Sequence, residues 1–174
     1  AERRNRLDEA AATFAALGSG MARTHLAGQA LWRLGEVQEQ RGEYELAAAT
    51  FARLLAAKPA DADRVARRLG VARERAADLA GAIEAHRLVY YDYPLSPDAE
   101  ASGAVLERLR GTDVPFPARL DKARARAAAL YAARRWALAR AAYVEVAANS
   151  TGDVHDGAEV RIGVADVQAK QYRA

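Results

Sequence analysis

Leu34-Gly35, Ala47 and Pro59 return as Leu69-Gly70, Ala82 and Pro94, each 35 positions further on (69 − 34, 82 − 47, 94 − 59). Two copies in one register constrain the fold strongly, because a 35-residue unit is too short to bury its own apolar face and has to stack on its neighbours. The residue types make those units helical. About a quarter of the chain is alanine, arginine and glutamate fill the polar positions, and period-2 runs of β-branched residues are missing. The expectation is an all-α chain with no strands.

Each recurring residue has a physical reason for its place. Gly35 and Ala47 are small where the two helices of a unit would approach most closely, while Leu34, Phe51 and Leu54 lie on faces that a partner helix can cover. Pro59 stops the second helix, since it fixes φ and lacks an amide donor. In the second copy Leu79 stands where Tyr44 was, and His86 replaces Phe51, which makes His86 a packing or rim histidine and not a functional one. The first copy, Leu31-x-x-Leu34-Gly35-x-x-Gln38, Ala47-x-x-x-Phe51, Pro59, resembles the tetratricopeptide repeat, with Leu31 in place of Trp and Gln38 in place of Tyr. That resemblance implies a right-handed superhelical array of antiparallel helix pairs.

Partial copies extend the register. Ala10-x-x-x-Phe14 with Leu17 reads as the second helix of a unit, and Ile162-Gly163 followed by Tyr172 as the first helix of another, with Ala174 one short of the next small packing position. On this reading the chain is a fragment of a longer protein. After Pro94 the period breaks. Ala139-x-x-x-Tyr143, with Trp136 in the slot of Tyr44 and Leu79, lies 57 residues beyond Ala82 (139 − 82), 22 more than one repeat. The added stretch has its own signals. Ser96-Pro97-Asp98-Ala99-Glu100 starts a helix over about 97–109 that Gly111 ends, residues 111–118 form a proline-punctuated connector, and a further helix spans about 119–133. The continuous repeat predicts one domain, 1–174, with units near 1–20 (partial), 24–59, 60–94, an inserted helix and connector 95–118, 119–150 and 156–174 (partial).

Charge and residue inventory narrow the chemistry. Lys plus Arg number 26 against 23 Asp plus Glu, a net charge of +3, with the two signs interspersed at helical spacing, which argues against nucleic-acid binding. There is no cysteine, so disulfides and thiolate metal sites are excluded, and no apolar run reaches membrane-spanning length. His25, His86 and His155 form no ligand spacing. Asp153-Val154-His155-Asp156-Gly157 reads as a helix start with Asp156 as cap, and Gly18-Ser19-Gly20 as an interhelical turn without the lysine of a phosphate loop. No catalytic residue, metal site or cofactor is predicted.

A binding surface remains. In tetratricopeptide arrays the fifth, ninth, twelfth and thirteenth positions of the first helices line the groove, which here implies Trp32, Glu36, Glu39 and Gln40, then Arg67, Val71, Glu74 and Arg75. The lysine and asparagine cluster with which some such arrays grip a C-terminal carboxylate is absent. Trp32 either faces the groove, where an exposed indole is costly unless it contacts something, or packs on the neighbouring unit.

The segment Val89-Tyr90-Tyr91-Asp92-Tyr93-Pro94-Leu95-Ser96-Pro97-Asp98-Ala99-Glu100-Ala101, with Leu130-Tyr131-Ala132-Ala133-Arg134-Arg135-Trp136-Ala137-Leu138-Ala139 downstream, resembles the superhelical region of bacterial soluble lytic murein transglycosylases, over about 25–174. Outer-membrane assembly lipoproteins and cell-division coordinators share the Tyr-Pro-x-Ser-Pro turn. Leu95 and the inserted helix tip the resemblance toward the transglycosylases. It implies a periplasmic parent that cleaves peptidoglycan from a separate lysozyme-like domain introduced by a Glu-Ser pair. No Glu-Ser dipeptide occurs here, so the resemblance implies an inactive helical platform for glycan strands or protein partners. The alternative is a protein- or peptide-binding scaffold with no enzyme attached.

Overall fold

The computed structural model describes the backbone of residues 2–19, 25–112 and 119–171, with side chains over 7–17, 26–112 and 119–170. The described residues are helical with no strand: α1 (Glu2–Ser19), α2 (His25–Gln40), α3 (Tyr44–Ala56), α4 (Ala62–Arg75), α5 (Leu79–Arg87), α6 (Ala99–Leu109), α7 (Leu120–Ala132), α8 (Trp136–Ala148) and α9 (Gly152–Gln171). A π-helical turn, Leu88–Asp92, continues α5. Tyr44, Leu79 and Trp136, matched by register in the sequence, each open the second helix of a pair.

The chain divides into two compact units, Ala1–Leu88 with Val105–Val114, and Val89–Ala104 with Pro115–Ala174. In the first, α1 packs on α2, α2 on α3, α3 on α4 and α4 on α5. Its core holds Leu31, Phe51, Leu54, Val65 and Leu69. In the second, α7 packs on α8 and α8 on α9, around Tyr91, Leu130, Val146 and Ala158.

The small residue of the repeat acts as a seat for a ring. A β-carbon added at Gly35 would stand 2.5 Å from Phe51 Cζ, and one at Gly70 would stand 2.6 Å from His86 Nε2. The sixteen-residue step from glycine to ring is the same in both pairs, and Phe51 and His86 are 0% and 1% exposed. Burying a side chain such as Phe51 contributes roughly 2–3 kcal/mol, a gain that depends on the glycine leaving room. His86 is thus packed inside the pair, which decides between the packing and rim positions that the register left open. In the α7–α8 pair the same step from Tyr143 leads back to Ala127, which is fully buried. There a methyl group occupies the seat. Tyr143 is only partly buried and stacks edge-on against Tyr131, centroids 6.1 Å apart.

The turns inside the pairs also repeat. Glu43 N donates to Gln38 O, Asp78 N to Arg73 O and Arg135 N to Leu130 O, each at 2.9 Å. These bonds, running back five residues from the residue that follows a left-handed one, form the Schellman closure of a helix C-terminus. The left-handed residues are Gly42 (φ 76), Ala77 (φ 61) and Arg134 (φ 57). Only the first carries the glycine that marks such a turn in a sequence.

Three boundaries differ from the sequence reading. α6 begins at Ala99, so Pro97 lies in the preceding turn, where Ser96 Oγ accepts from Asp98 N at 3.1 Å and Asp98 O accepts from Ser102 N. α9 begins at Gly152, whose φ of 59 turns the chain directly out of α8, and Asp156 therefore lies inside the helix and does not cap it. Gly18 and Ser19 close α1 and form no turn. Gly20, the 113–118 part of the connector, Tyr172 and Ala174 lie outside the described residues.

Candidate partner-binding face of helices α2 and α4

α2 and α4 are the first helices of successive pairs, and side chains of α4 reach across to α2. Arg64 lies 4.3 Å above the Trp32 ring and Arg68 5.8 Å from it. Trp32 also meets Phe51 edge-on at 5.6 Å, so it is half-buried, packed on its own pair on one side and covered by α4 arginines on the other. Arg68 is ion-paired with Glu39 of α2. Burial pushes the Glu39 carboxyl above its ordinary range, an effect that the nearby Arg68 and Arg75 guanidinium groups oppose but do not cancel.

The remaining residues implied by the groove positions separate into two groups. Glu36 pairs with Arg33 of its own helix at 2.9 Å, Gln40 is exposed at the end of α2, and Arg75 lies 5.4 Å above the Tyr44 ring with an Nη1 to hydroxyl distance of 3.5 Å. These share the α2–α4 face with Trp32 and Glu39. Arg67 and Glu74 do not join them. Arg67 contributes to the potential at His86, and Glu74 accepts from Arg108 at 2.6 Å. Val71 is half-buried between. A cleft of about 940 Å³ opens at one end of the face, lined in part by Phe14, Leu17, Trp32, Leu54 and Arg64.

The tripeptide Arg33-Leu34-Gly35 recurs as Arg68-Leu69-Gly70 and Arg161-Ile162-Gly163, an arginine two residues before each glycine that the sequence reading passed over. Arg33 pairs within its own helix, while Arg68 and Arg161 form rungs between successive first helices. Arg68 reaches Glu39, four residues beyond Gly35, and Arg161 lies 4.7 Å above Tyr131, four beyond Ala127. Arg64 was missed for a different reason: nothing in its local sequence shows that Trp32 lies beneath it.

A second polar cluster lies in the other unit. Arg126, 2% exposed, donates from Nε to Tyr90 O at 3.1 Å and from Nη2 to Glu100 at 2.8 Å, and its guanidinium stacks 3.9 Å from the Tyr90 ring. The Tyr91 and Tyr90 hydroxyls donate to the two oxygens of Glu145 at 2.8 and 3.4 Å. The π turn that holds both tyrosines arises where one extra residue is accommodated in a helix, a feature invisible to hydrophobic periodicity. Burial raises the Tyr90 phenol, with Arg126 opposing.

Among the described residues no group of His, Asp or Glu could hold a metal ion. His86 is buried against Gly70, and His155 Nδ1 lies 3.1 Å from Ala147 O. His25 opens α2, with its side chain outside the described residues. Among the described residues no helix is long and apolar enough to cross a membrane. No protein-family model, curated protein or solved structure matches the chain.

Proposed function

We propose that the chain is a non-catalytic scaffold, a tetratricopeptide-like right-handed superhelical array whose α2–α4 face holds an extended segment of a partner protein. The observation that carries this reading is the construction of the first helices: glycine seats a ring in α2 and α4, and an arginine reaches the preceding first helix from α4 and α9. Such a surface is rigid, amphipathic and half-covered, which suits recognition more than chemistry. The test is selection from a random peptide display library on the immobilised chain. Enriched peptides that lose binding in Trp32→Ala support the reading, and a selection without enrichment overturns it.

A second setting for the same scaffold is the platform of a periplasmic lytic transglycosylase. Its support is the Tyr93-Pro94-Leu95-Ser96-Pro97-Asp98 turn and the extra helix that follows it, the features on which the family resemblance rests. Co-sedimentation with purified peptidoglycan sacculi tests it. A chain left wholly in the supernatant counts against a glycan-binding platform.

A further inference from the structure

Arg64 and Arg75 stand apart from the arginines beside them. Arg33 and Arg68 of the α2–α4 face meet Glu36 and Glu39, and Arg108 of α6 meets Glu74. Arg64 and Arg75 are exposed and have no carboxylate within ion-pair distance among the described residues, Glu39 sensing Arg75 only at longer range. Each instead lies over an aromatic ring of a neighbouring helix, Trp32 at 4.3 Å and Tyr44 at 5.4 Å. Stacking occupies the flat face of a guanidinium and leaves most of its N–H edge for a planar acceptor.

We propose that Arg64 and Arg75 are a pair of receptors for two side-chain carboxylates of an extended acidic segment in a partner protein. This rests on the scaffold reading and supplies the partner's chemistry. The two arginines are eleven residues apart on one helix, which returns them to the same face about 16 Å apart along its axis. An extended peptide advances about 3.3 Å per residue with side chains alternating between its two faces, so acids six positions apart point to one face about 20 Å apart, a span that the two long arginine side chains reach by splaying, with the intervening residues passing over half-buried Val71. Because the rings already orient both guanidinium groups, less side-chain freedom is lost on binding. A continuous polyanion such as nucleic acid fits less well, since Glu36, Glu39 and Glu74 interrupt the positive field on the same two helices.

The experiment uses the 174-residue chain and a fluorescein-labelled peptide with two glutamates six positions apart in an alanine, serine and valine background, read by fluorescence anisotropy at low salt. Saturable binding is expected, weakened at least about tenfold by R64Q/R75Q and by replacing the peptide glutamates with glutamine. Arg64→Lys, which keeps the charge but loses the planar fork, should fall between. An unchanged thermal melt for each variant separates lost binding from lost fold. Absence of saturable binding, insensitivity to R64Q/R75Q, or tighter binding of an oligothymidylate through the same arginines would overturn the proposal. Library selection that returns acid-free binders sensitive to Trp32→Ala sinks this inference and leaves the scaffold reading standing. A selection without enrichment sinks the scaffold.

Discussion

A β-carbon on Gly70 would stand 2.6 Å from His86 Nε2, closer than real β-carbons approach a neighbouring atom. Gly70→Ala, and likewise Gly35→Ala beneath Phe51, should therefore destabilise the chain by about 1–3 kcal/mol through overpacking, although alanine is the better helix former. Gly163 supplies the contrast. Nothing lies within 4 Å of its added β-carbon, so Gly163→Ala should stabilise by about 0.5–1 kcal/mol. Urea denaturation of the three variants checks both signs.

Burial holds the His86 imidazole below its usual value of 6.5, more than Glu74 raises it, with Arg67 and Arg108 adding to the depression. The unfolded chain then takes up a proton before the folded one does, so stability falls as pH drops below about 6.5, with a limiting slope of about 1.4 kcal/mol per pH unit from this group. Urea midpoints between pH 7.5 and 5.5 should show the fall. His86→Phe, which copies Phe51, should remove that component while keeping the neutral-pH stability; an equal slope in both proteins would exclude His86 as its source.

Ala77 and Arg134 hold left-handed backbone in turns whose counterpart is Gly42. A side chain there costs on the order of 1 kcal/mol, so Ala77→Gly and Arg134→Gly should each stabilise by about that amount, and Gly42→Ala should destabilise similarly. Thermal and urea unfolding of the three single variants is the measurement.

Arg126→Met should cost about 2 kcal/mol, because it removes donors from the Tyr90 carbonyl and Glu100 in a buried setting. Hydrogen exchange locates the effect: protection should fall around the π turn, Leu88–Asp92, and persist in α2 and α3.

How far the sequence exposed this structure depended on whether a residue type carried a conformational or steric signature. The repeat register marked Gly35 and its copy Gly70 as close-approach positions and matched Tyr44, Leu79 and Trp136, which open α3, α5 and α8, since small residues and rings are tied to residue type. The turn at Gly42 carries a glycine that the sequence reading passed over, whereas Ala77 and Arg134 adopt its backbone with residues that advertise nothing. Asp156 satisfied a capping preference that the left-handed Gly152 made irrelevant. At the candidate face, Trp32, Glu36, Glu39, Gln40 and Arg75 came from family positions, but Arg64 depends on a stacking partner 32 residues away and had no local pattern to betray it. The arginine rungs were legible in principle, as a residue two before each repeat glycine.

The contrast between Ala127 and its counterparts Gly35 and Gly70 reduces to one methyl group on a helix backbone. Where the hydrogen of glycine stands, the opposing ring is swallowed; where the methyl stands, Tyr143 remains half outside with its hydroxyl-bearing ring beside Tyr131. A lineage of such repeats could therefore convert a structural ring into a displayed one, or draw it back into the interior, by a single-carbon change on the facing helix, without touching the aromatic residue itself.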